Sequence, residues 1–197
     1  MRIIAGEFRG RELLGPKSNR TRPITDRAKQ SLFDTLTVAM PWAGVRVLDC
    51  FCGTGSLGLE SLSRGAARAV FVERDRGALD RLRNNINRLC VIPRCRVLPL
   101  DAYRLPAALQ AAGAEAGRFD LAFVDPPYAH WQSPGQHTKV RALLVALAGA
   151  WMAPNGLIIL RHPAAAPWDA VESGLRMVRR LQYGSMGLTW LRGPDLN

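Results

Sequence analysis

The segment Asp125-Pro126-Pro127-Tyr128 groups residues that could hold and modify a flat molecule bearing an amino group. It follows the apolar run 119–124, which predicts a buried strand that stops at the prolines, because proline cannot donate a hydrogen bond to a sheet. The Asp125 carboxylate and the fixed peptide carbonyls can accept two amino hydrogens, and the Tyr128 ring can stack on a planar group. The four residues are therefore candidate catalytic residues. The alternative is a strand-ending turn with a packed tyrosine.

A glycine-rich loop at residues 49–58 is the second candidate site. Glycines let a backbone turn tightly, and the start of the following helix supplies N–H groups and a positive dipole end for an anion or a carboxylate. The spacing of Gly53, Gly55 and Gly58 matches a dinucleotide fingerprint, with Glu73 20 residues after Gly53, where an acid would hold ribose hydroxyls. However, Asp49 and three further residues precede the first glycine. A carboxylate there would repel a pyrophosphate and attract an ammonium group.

A ligand that combines an ammonium, a carboxylate and a ribose is S-adenosylmethionine. We expect Asp49 to bind its amino group, the backbone of residues 53–55 its carboxylate, and Glu73 its ribose. Asp101, predicted to end the third strand, would face the adenine amine. Ligands of open α/β sheets bind outside the carboxyl ends of the strands, which favours a shared site over four merely solvated carboxylates. The predicted cofactor-binding residues are Asp49, Cys50, Phe51, Gly53, Thr54, Gly55, Glu73, Arg74, Asp101, Ala102 and Asp125.

The elements that must position these residues alternate between strand and helix. Predicted strands at 45–49, 69–73, 96–101, 119–125 and 156–160 are separated by helical patterns, which indicates a parallel sheet with helices on both faces. Runs 175–183 and 187–191 are joined by three residues, so they must pair antiparallel. Upstream, runs 2–5 and 12–14 predict a small hairpin, followed by a helix that Thr25 or Asp26 caps.

The charge balance indicates a polyanionic partner. The 197 residues hold 27 basic and 16 acidic side chains, a formal net charge of +11, and residues 1–30 hold eight basic side chains against three acidic ones. Such an excess favours nucleic acid through counterion release, although an arginine-rich organism would show it too. We therefore predict a basic, RNA-contacting extension at 1–40 and a catalytic domain at 41–197. The candidate RNA-binding residues are Arg2, Arg9, Arg11, Arg22, Thr25 and Arg27.

Several classes of protein are disfavoured. The sequence has no uncharged apolar stretch long enough to span a membrane and no signal peptide at its start, so we expect a cytoplasmic protein. The four cysteines lack paired Cys-x-x-Cys spacing, and the three histidines lack an i, i+4 pattern, so we expect no metal site and reduced cysteines.

The two candidate sites together resemble those of class I methyltransferases that modify exocyclic amino groups. More specifically, segments 1–6, 22–27 and 57–66 resemble blocks of the RsmD-type 16S ribosomal RNA guanine-N2 methyltransferases, and the similarity covers nearly the whole chain. Two positions depart from that pattern: Ile24 stands where a second threonine is usual, and Arg161-His162 stands where an acidic residue is expected.

The resemblance implies a seven-strand fold, S-adenosylmethionine, and one guanine of small-subunit ribosomal RNA, either free or within the subunit or an assembly intermediate. We expect a monomer. The Asp-Pro-Pro-Tyr segment suits guanine, adenine or cytosine amines alike, so an adenine-N6 DNA methyltransferase is the nearest alternative, although little of the chain remains for target recognition. A glutamine-amide methyltransferase would leave the charge unexplained. A non-catalytic RNA-binding assembly module and a hydride-transferring enzyme are the remaining alternatives.

Overall fold

The computed structural model describes residues 1–16, 24–113, 118–166, 168 and 174–193. The described strands form a seven-stranded mixed sheet, which confirms the predicted α/β fold class. By its contacts the chain divides into two compact units, Met1–Pro99 and Leu100–Asn197. The predicted boundary between residues 40 and 41 stays a prediction.

Unit 1 holds three strands in the order β3-β2-β1, all parallel. Its α-helices and strands are α1 (Asp26–Ala39), β1 (Arg46–Cys50), α2 (Ser56–Ser63), β2 (Arg68–Glu73), α3 (Arg76–Arg88) and β3 (Cys95–Pro99). Strand β1 is almost entirely buried, as expected for an apolar strand of a parallel sheet. The third strand was predicted to reach Asp101, but it ends two residues earlier, at Pro99.

The N-terminal segment is less regular than predicted. Its two predicted runs pair antiparallel, as expected of a small hairpin, but only through one isolated bridge, between Arg2 and Glu12. Two further backbone hydrogen bonds, from Ile3 N–H to Arg11 O and from Leu13 N–H to Met1 O, hold the same turn. The glycines at 6 and 10, both with positive φ, bend the chain too soon for a continuous ladder.

Helix α1 begins where the sequence predicted. The Thr25 hydroxyl oxygen accepts the Ala28 N–H at 3.2 Å and so caps the first turn. The apolar side chains at helical spacing, Leu32, Phe33 and Leu36, are fully buried. The helix is therefore held by local capping and by packing of one face.

Unit 2 holds four strands in the order β4-β5-β7-β6. Its elements are α4 (Leu105–Ala112), β4 (Phe119–Val124), α5 (Pro134–Ala146), β5 (Met152–Pro163), β6 (Arg176–Tyr183) and β7 (Met186–Arg192). Strands β4 and β5 are parallel, whereas β7 is antiparallel to both β5 and β6, as the short link between the last two strands required. No helix in the described part of the chain is long and apolar enough to cross a membrane.

Candidate active site

The Asp-Pro-Pro-Tyr segment lies at the carboxyl end of β4, as predicted. Strand β4 is buried through Val124, and Asp125 is the first residue after it. Tyr128 then opens a short helical turn that ends at Trp131, in which the His130 N–H donates to the Pro127 carbonyl at 2.8 Å. The strand end and the turn thus fix the segment from both sides.

Arg161, a residue of β5, contacts both chemical groups of this segment. Its Nη1 donates to Asp125 Oδ2 at 2.8 Å. Its guanidinium carbon also lies 5.6 Å from the centroid of the Tyr128 ring, within the range of a cation–π contact. From the sequence, Arg161 stood out only as a departure from a family pattern, and its pairing with Asp125 could not be predicted because it depends on the register of β5 against β4.

Burial and charge act in opposite directions on this pair. Burial raises the pKa of the Asp125 carboxyl above its ordinary value, and Arg161 lowers it part of the way back. For Arg161, burial disfavours the charged form, but Asp125 and Tyr128 outweigh it and raise the pKa of the guanidinium. The two groups therefore support each other's ionised forms.

The glycine loop occupies the end of β1 and the start of α2. Gly55 is the N-cap residue of α2 with φ +85°, and a Cβ there would lie 2.4 Å from Leu82 Cδ1. At Gly58, a Cβ would lie 2.3 Å from the Phe71 ring. Glycine is favoured at Gly55 by its positive φ and at Gly58 by the closeness of the Phe71 ring. The loop therefore packs closely against β2 and α3.

Asp49 has a contact that the sequence did not predict. Its side chain is buried, and Oδ2 accepts the Gly58 N–H at 2.9 Å. This bond ties the end of β1 to the first turn of α2, where N–H groups lack partners within the helix. Asp49 thus stabilises the loop itself, and its contact with a ligand ammonium stays a prediction.

Glu73 is brought directly to the glycine loop. Its Oε2 accepts the Gly53 N–H at 2.9 Å, and its Oε1 accepts the N–H groups of Arg74 and Asp75, each at 2.8 Å. The sequence predicted that these two parts of the chain meet around a ribose. In the structure the carboxylate lies beside the loop and is held there by three backbone donors.

Asp101 lies outside β3 and not at its end, which corrects the predicted position. Its Oδ1 accepts the Tyr103 N–H at 3.1 Å and so caps the short helix Ala102–Arg104. The Tyr103 hydroxyl and His130 Nδ1 are 2.8 Å apart. The segment after Asp101 is thereby linked to the turn that begins at Tyr128. Sequence spacing gave no indication of this link.

The cysteines of the loop are not suited to nucleophilic chemistry. Burial, with a further contribution from Asp49, raises the pKa of the Cys50 and Cys52 thiols well above the ordinary value. Both thiols are therefore neutral at physiological pH, and a neutral thiol is a weak nucleophile.

Thr54, also predicted to contact the cofactor, is buried, and its carbonyl accepts a hydrogen bond from Asn85 Nδ2 at 3.0 Å.

The predicted RNA-binding side chains have different surroundings. Arg2 is exposed and pairs with Asp26 at 3.0 Å, and Thr25 caps α1. Arg9, Arg11 and Arg27 are exposed. Arg22 lies outside the described residues.

A buried ion cluster fastens the N-terminal segment to α2. The fully buried carboxylate of Glu60 lies 3.2 Å from Lys29 Nζ and accepts from Arg64 Nε at 3.1 Å. It also accepts the N–H groups of Ile4 and Ala5 at 2.8 and 3.1 Å. Burial lowers the pKa of Lys29, although Glu60 opposes this shift. The only hint in the sequence was that this glutamate is the one charged residue of the helical run 56–63.

A model of the family described as Conserved hypothetical protein 95 matches residues 1–192, nearly the whole chain. Ribosomal RNA small subunit methyltransferase D of Haemophilus influenzae is 36% identical over 178 residues, which cover 88% of this chain and 84% of the relative. The chain belongs to the RsmD-type methyltransferase family.

Other comparisons agree with membership of the RsmD-type family. The putative rRNA methyltransferase YlbH of Bacillus subtilis is 34% identical over 189 residues, which cover 95% of this chain and 96% of the relative. Among solved structures, the putative methyltransferase yhhF of Escherichia coli has a TM-score of 0.77 and 29% identity, covering 100% of this chain and 99% of that one. The predicted resemblance to RsmD-type class I methyltransferases is therefore confirmed.

Proposed function

We propose that this protein transfers a methyl group from S-adenosylmethionine to the exocyclic N2 amine of a guanine in small-subunit ribosomal RNA. The observation that supports this most directly is the pairing of an acceptor, Asp125, with an aromatic ring, Tyr128, at the end of a buried strand in an RsmD-type protein. The names of its relatives supply ribosomal RNA as the substrate class.

The residues of the glycine loop suit the cofactor. The first turn of α2 and the loop N–H groups favour the carboxylate of the ligand, and Asp49 favours its ammonium. Glu73, already beside Gly53, would accept hydrogen bonds from the ribose hydroxyls of a bound cofactor, and Asp101 would accept one from its adenine amine. Cys50, Phe51, Thr54, Arg74 and Ala102 complete the proposed set. Bound S-adenosylmethionine supplies an activated methyl group on a sulfonium.

The acceptor base stacks on Tyr128 after it leaves its helix. Unstacking costs a few kcal/mol, and stacking on an aromatic side chain returns roughly 1–3 kcal/mol. Asp125 and the Pro126 carbonyl accept the two amino hydrogens, with the direction of the carbonyl fixed by Pro127. The nitrogen lone pair, otherwise delocalised into the ring, is then directed at the methyl group. Most of the rate enhancement comes from this positioning and from electrostatics.

The transfer balances in atoms and charge. The amine nitrogen would form a bond to the methyl carbon as the sulfur–carbon bond of the donor breaks, and the electron pair of that bond would stay on sulfur. The methylated nitrogen becomes acidic as the bond forms and loses one proton. Asp125 accepts this proton transiently and passes it to water.

The basic N-terminal segment binds the phosphates of the substrate. Arg9, Arg11 and Arg27 project exposed guanidinium groups, and Arg2 and Arg22 add to the same charge. The Thr25 hydroxyl oxygen accepts a hydrogen bond from the Ala28 N–H while it caps α1, and the same hydroxyl can donate its own hydrogen to a phosphate.

We propose a cytoplasmic, monomeric enzyme that acts on the RNA either free or within the subunit or an assembly intermediate.

Nucleoside mass spectrometry of ribosomal RNA from a deletion strain tests this function. We expect loss of one N2-methylguanine in small-subunit RNA, restored by the wild-type gene but not by the Asp125→Ala variant. An unchanged small-subunit RNA would contradict the proposal. Loss of N6-methyladenine from DNA instead would favour the adenine methyltransferase, and purified protein that binds no S-adenosylmethionine in calorimetry would favour a non-catalytic RNA-binding module.

A further inference from the structure

The ion pair between Asp125 and Arg161 joins the proposed catalytic segment to a different strand. The bond is short, 2.8 Å, and the two side chains are 24% and 9% exposed. An ion pair shielded to this degree is screened far less by water and salt than a surface pair. It therefore restricts where the carboxylate points.

Arg161 itself is held on both sides. Its neighbour Leu160 pairs with Val124 in the parallel ladder between β4 and β5, so Arg161 lies level with Asp125 just beyond the pair. On the other side Arg161 pairs with Leu188 of β7. The guanidinium is thus projected from an interior strand whose backbone cannot shift without breaking two ladders.

One guanidinium contacts both groups that the proposed reaction requires. It donates to Oδ2 of Asp125, and it lies over the ring of Tyr128. A planar, delocalised cation can do both at once, whereas the compact ammonium of lysine is suited to only one. The relative placement of the acceptor oxygen and the stacking ring is consequently set by a third residue.

We propose that Arg161 is the positioning residue of methyl transfer: by holding Oδ2 of Asp125 and the ring of Tyr128, it directs Oδ1 at the amine of the stacked base. This inference rests on the proposed function. Arg161 does not touch the reacting atoms, and it acts through the two residues that do.

The ion pair also opposes protonation of Asp125. Burial alone favours the protonated carboxyl, which would donate a hydrogen bond where the amine requires an acceptor. The groups that face Asp125 in the described contacts are Arg161 from β5 and, through Arg161, the Tyr128 phenol of its own loop. Removing the guanidinium therefore raises the pKa of Asp125 further. As the pH falls, the variant should therefore lose the activity that requires the carboxylate at a higher pH than the wild type does.

Steady-state kinetics of wild-type protein and three variants test the inference, with small-subunit RNA as substrate. Arg161→Met removes the charge and keeps the stem, Arg161→Lys keeps the charge without the planar fork, and Arg179→Met is the matched control. Arg179 is exposed on β6 and contacts Trp190. Thermal melts and calorimetry with S-adenosylmethionine check that each variant is folded.

For Arg161→Met we expect kcat to fall roughly 10–100-fold, the cost typical of a misplaced reacting group. KM and the cofactor Kd should change by no more than about twofold, because binding is largely separate from positioning. The acid limb of the kcat profile should move to higher pH, because an adjacent opposite charge that lowers the pKa of Asp125 has been removed. For Arg161→Lys, kcat should fall roughly 3–10-fold, and the acid limb of the kcat profile should lie at the same pH as in the wild type.

Other outcomes distinguish a failure of the proposed methyltransferase function from a failure of the proposed role of Arg161. A wild-type protein that methylates no ribosomal RNA would overturn the proposed function and, with it, the role of Arg161. An active wild type with an equally active Arg161→Met variant would overturn only the role of Arg161, as would an equal loss in Arg179→Met. If Arg161→Met does not fold, Arg161→Lys decides, and an unchanged kcat in that variant would refute the inference.

Discussion

The buried carboxylate of Glu60 allows a quantitative test of how the N-terminal segment is held. The Glu60→Gln substitution keeps the shape of the side chain but leaves the charge of Lys29, which is fully buried, without its counter-charge. Breaking a buried pair in this way typically costs about 3–5 kcal/mol. For a domain of this size, 1 kcal/mol corresponds to about 2–4 °C in Tm, so the loss should be roughly 6–20 °C.

The assay is thermal unfolding, compared with a matched exposed pair. Arg83 and Asp80 lie 3.6 Å apart with side chains 54% and 73% exposed, and Arg83→Met should cost less than about 0.5 kcal/mol. The double variant Lys29→Met/Glu60→Gln removes both charges and should be more stable than Glu60→Gln alone.

Hydrogen exchange gives the local result. The amides of Ile4 and Ala5, which donate to Glu60, should exchange faster in Glu60→Gln, whereas the amides of β1 should change less. Equal melting temperatures for Glu60→Gln and Arg83→Met, with unchanged exchange at the two amides, would refute this account of the cluster.

Three further predictions concern single residues. Asp125→Ala should abolish methylation and leave the cofactor Kd within about threefold in calorimetry; retained turnover would exclude its role as acceptor. Gly6→Ala should destabilise the protein by roughly 2–4 kcal/mol in denaturant titration, because a Cβ there would lie 1.9 Å from the Ser63 carbonyl oxygen. Gly10 has a similar φ but open space around it, so Gly10→Ala should cost only about 1 kcal/mol. Equal costs for the two variants would show that the close approach at Gly6 does not matter. Arg11→Ala should weaken RNA binding equally for all sequences and reduce the slope of log K against log salt by about 1; an unchanged slope would exclude a phosphate contact.

The parts of the fold that local patterns determine could be predicted from the sequence. Thr25 caps α1 as expected because capping involves residues three apart, and the alternation of strands and helices followed from apolar runs of the right length. The end of β3 was wrong by two residues, since Asp101 prefers to cap the following turn. The two runs of the predicted N-terminal hairpin do pair antiparallel, but the turns at its glycines limit the pairing to one bridge.

Contacts between distant parts of the chain could not be predicted in this way. The sequence places Asp49 and Glu73 at strand ends, but it does not reveal that backbone N–H groups already bind their carboxylates. The pairing of Lys29 with Glu60 spans 31 residues, and that of Asp125 with Arg161 spans 36. Such pairs depend on register and packing, which one sequence does not encode in its local spacing.

The position of β7 between β5 and β6 has a consequence for synthesis. Strand β5 pairs along Ile158–Pro163 with residues 186–191, which are translated more than twenty residues later. Until they emerge from the ribosome, an apolar strand has one edge open to other chains, a recognised cause of aggregation. Arg161 pairs with Leu188 of β7 only at that stage. The strand that carries the ion-pair partner of Asp125 is therefore fixed among the last steps of synthesis and folding.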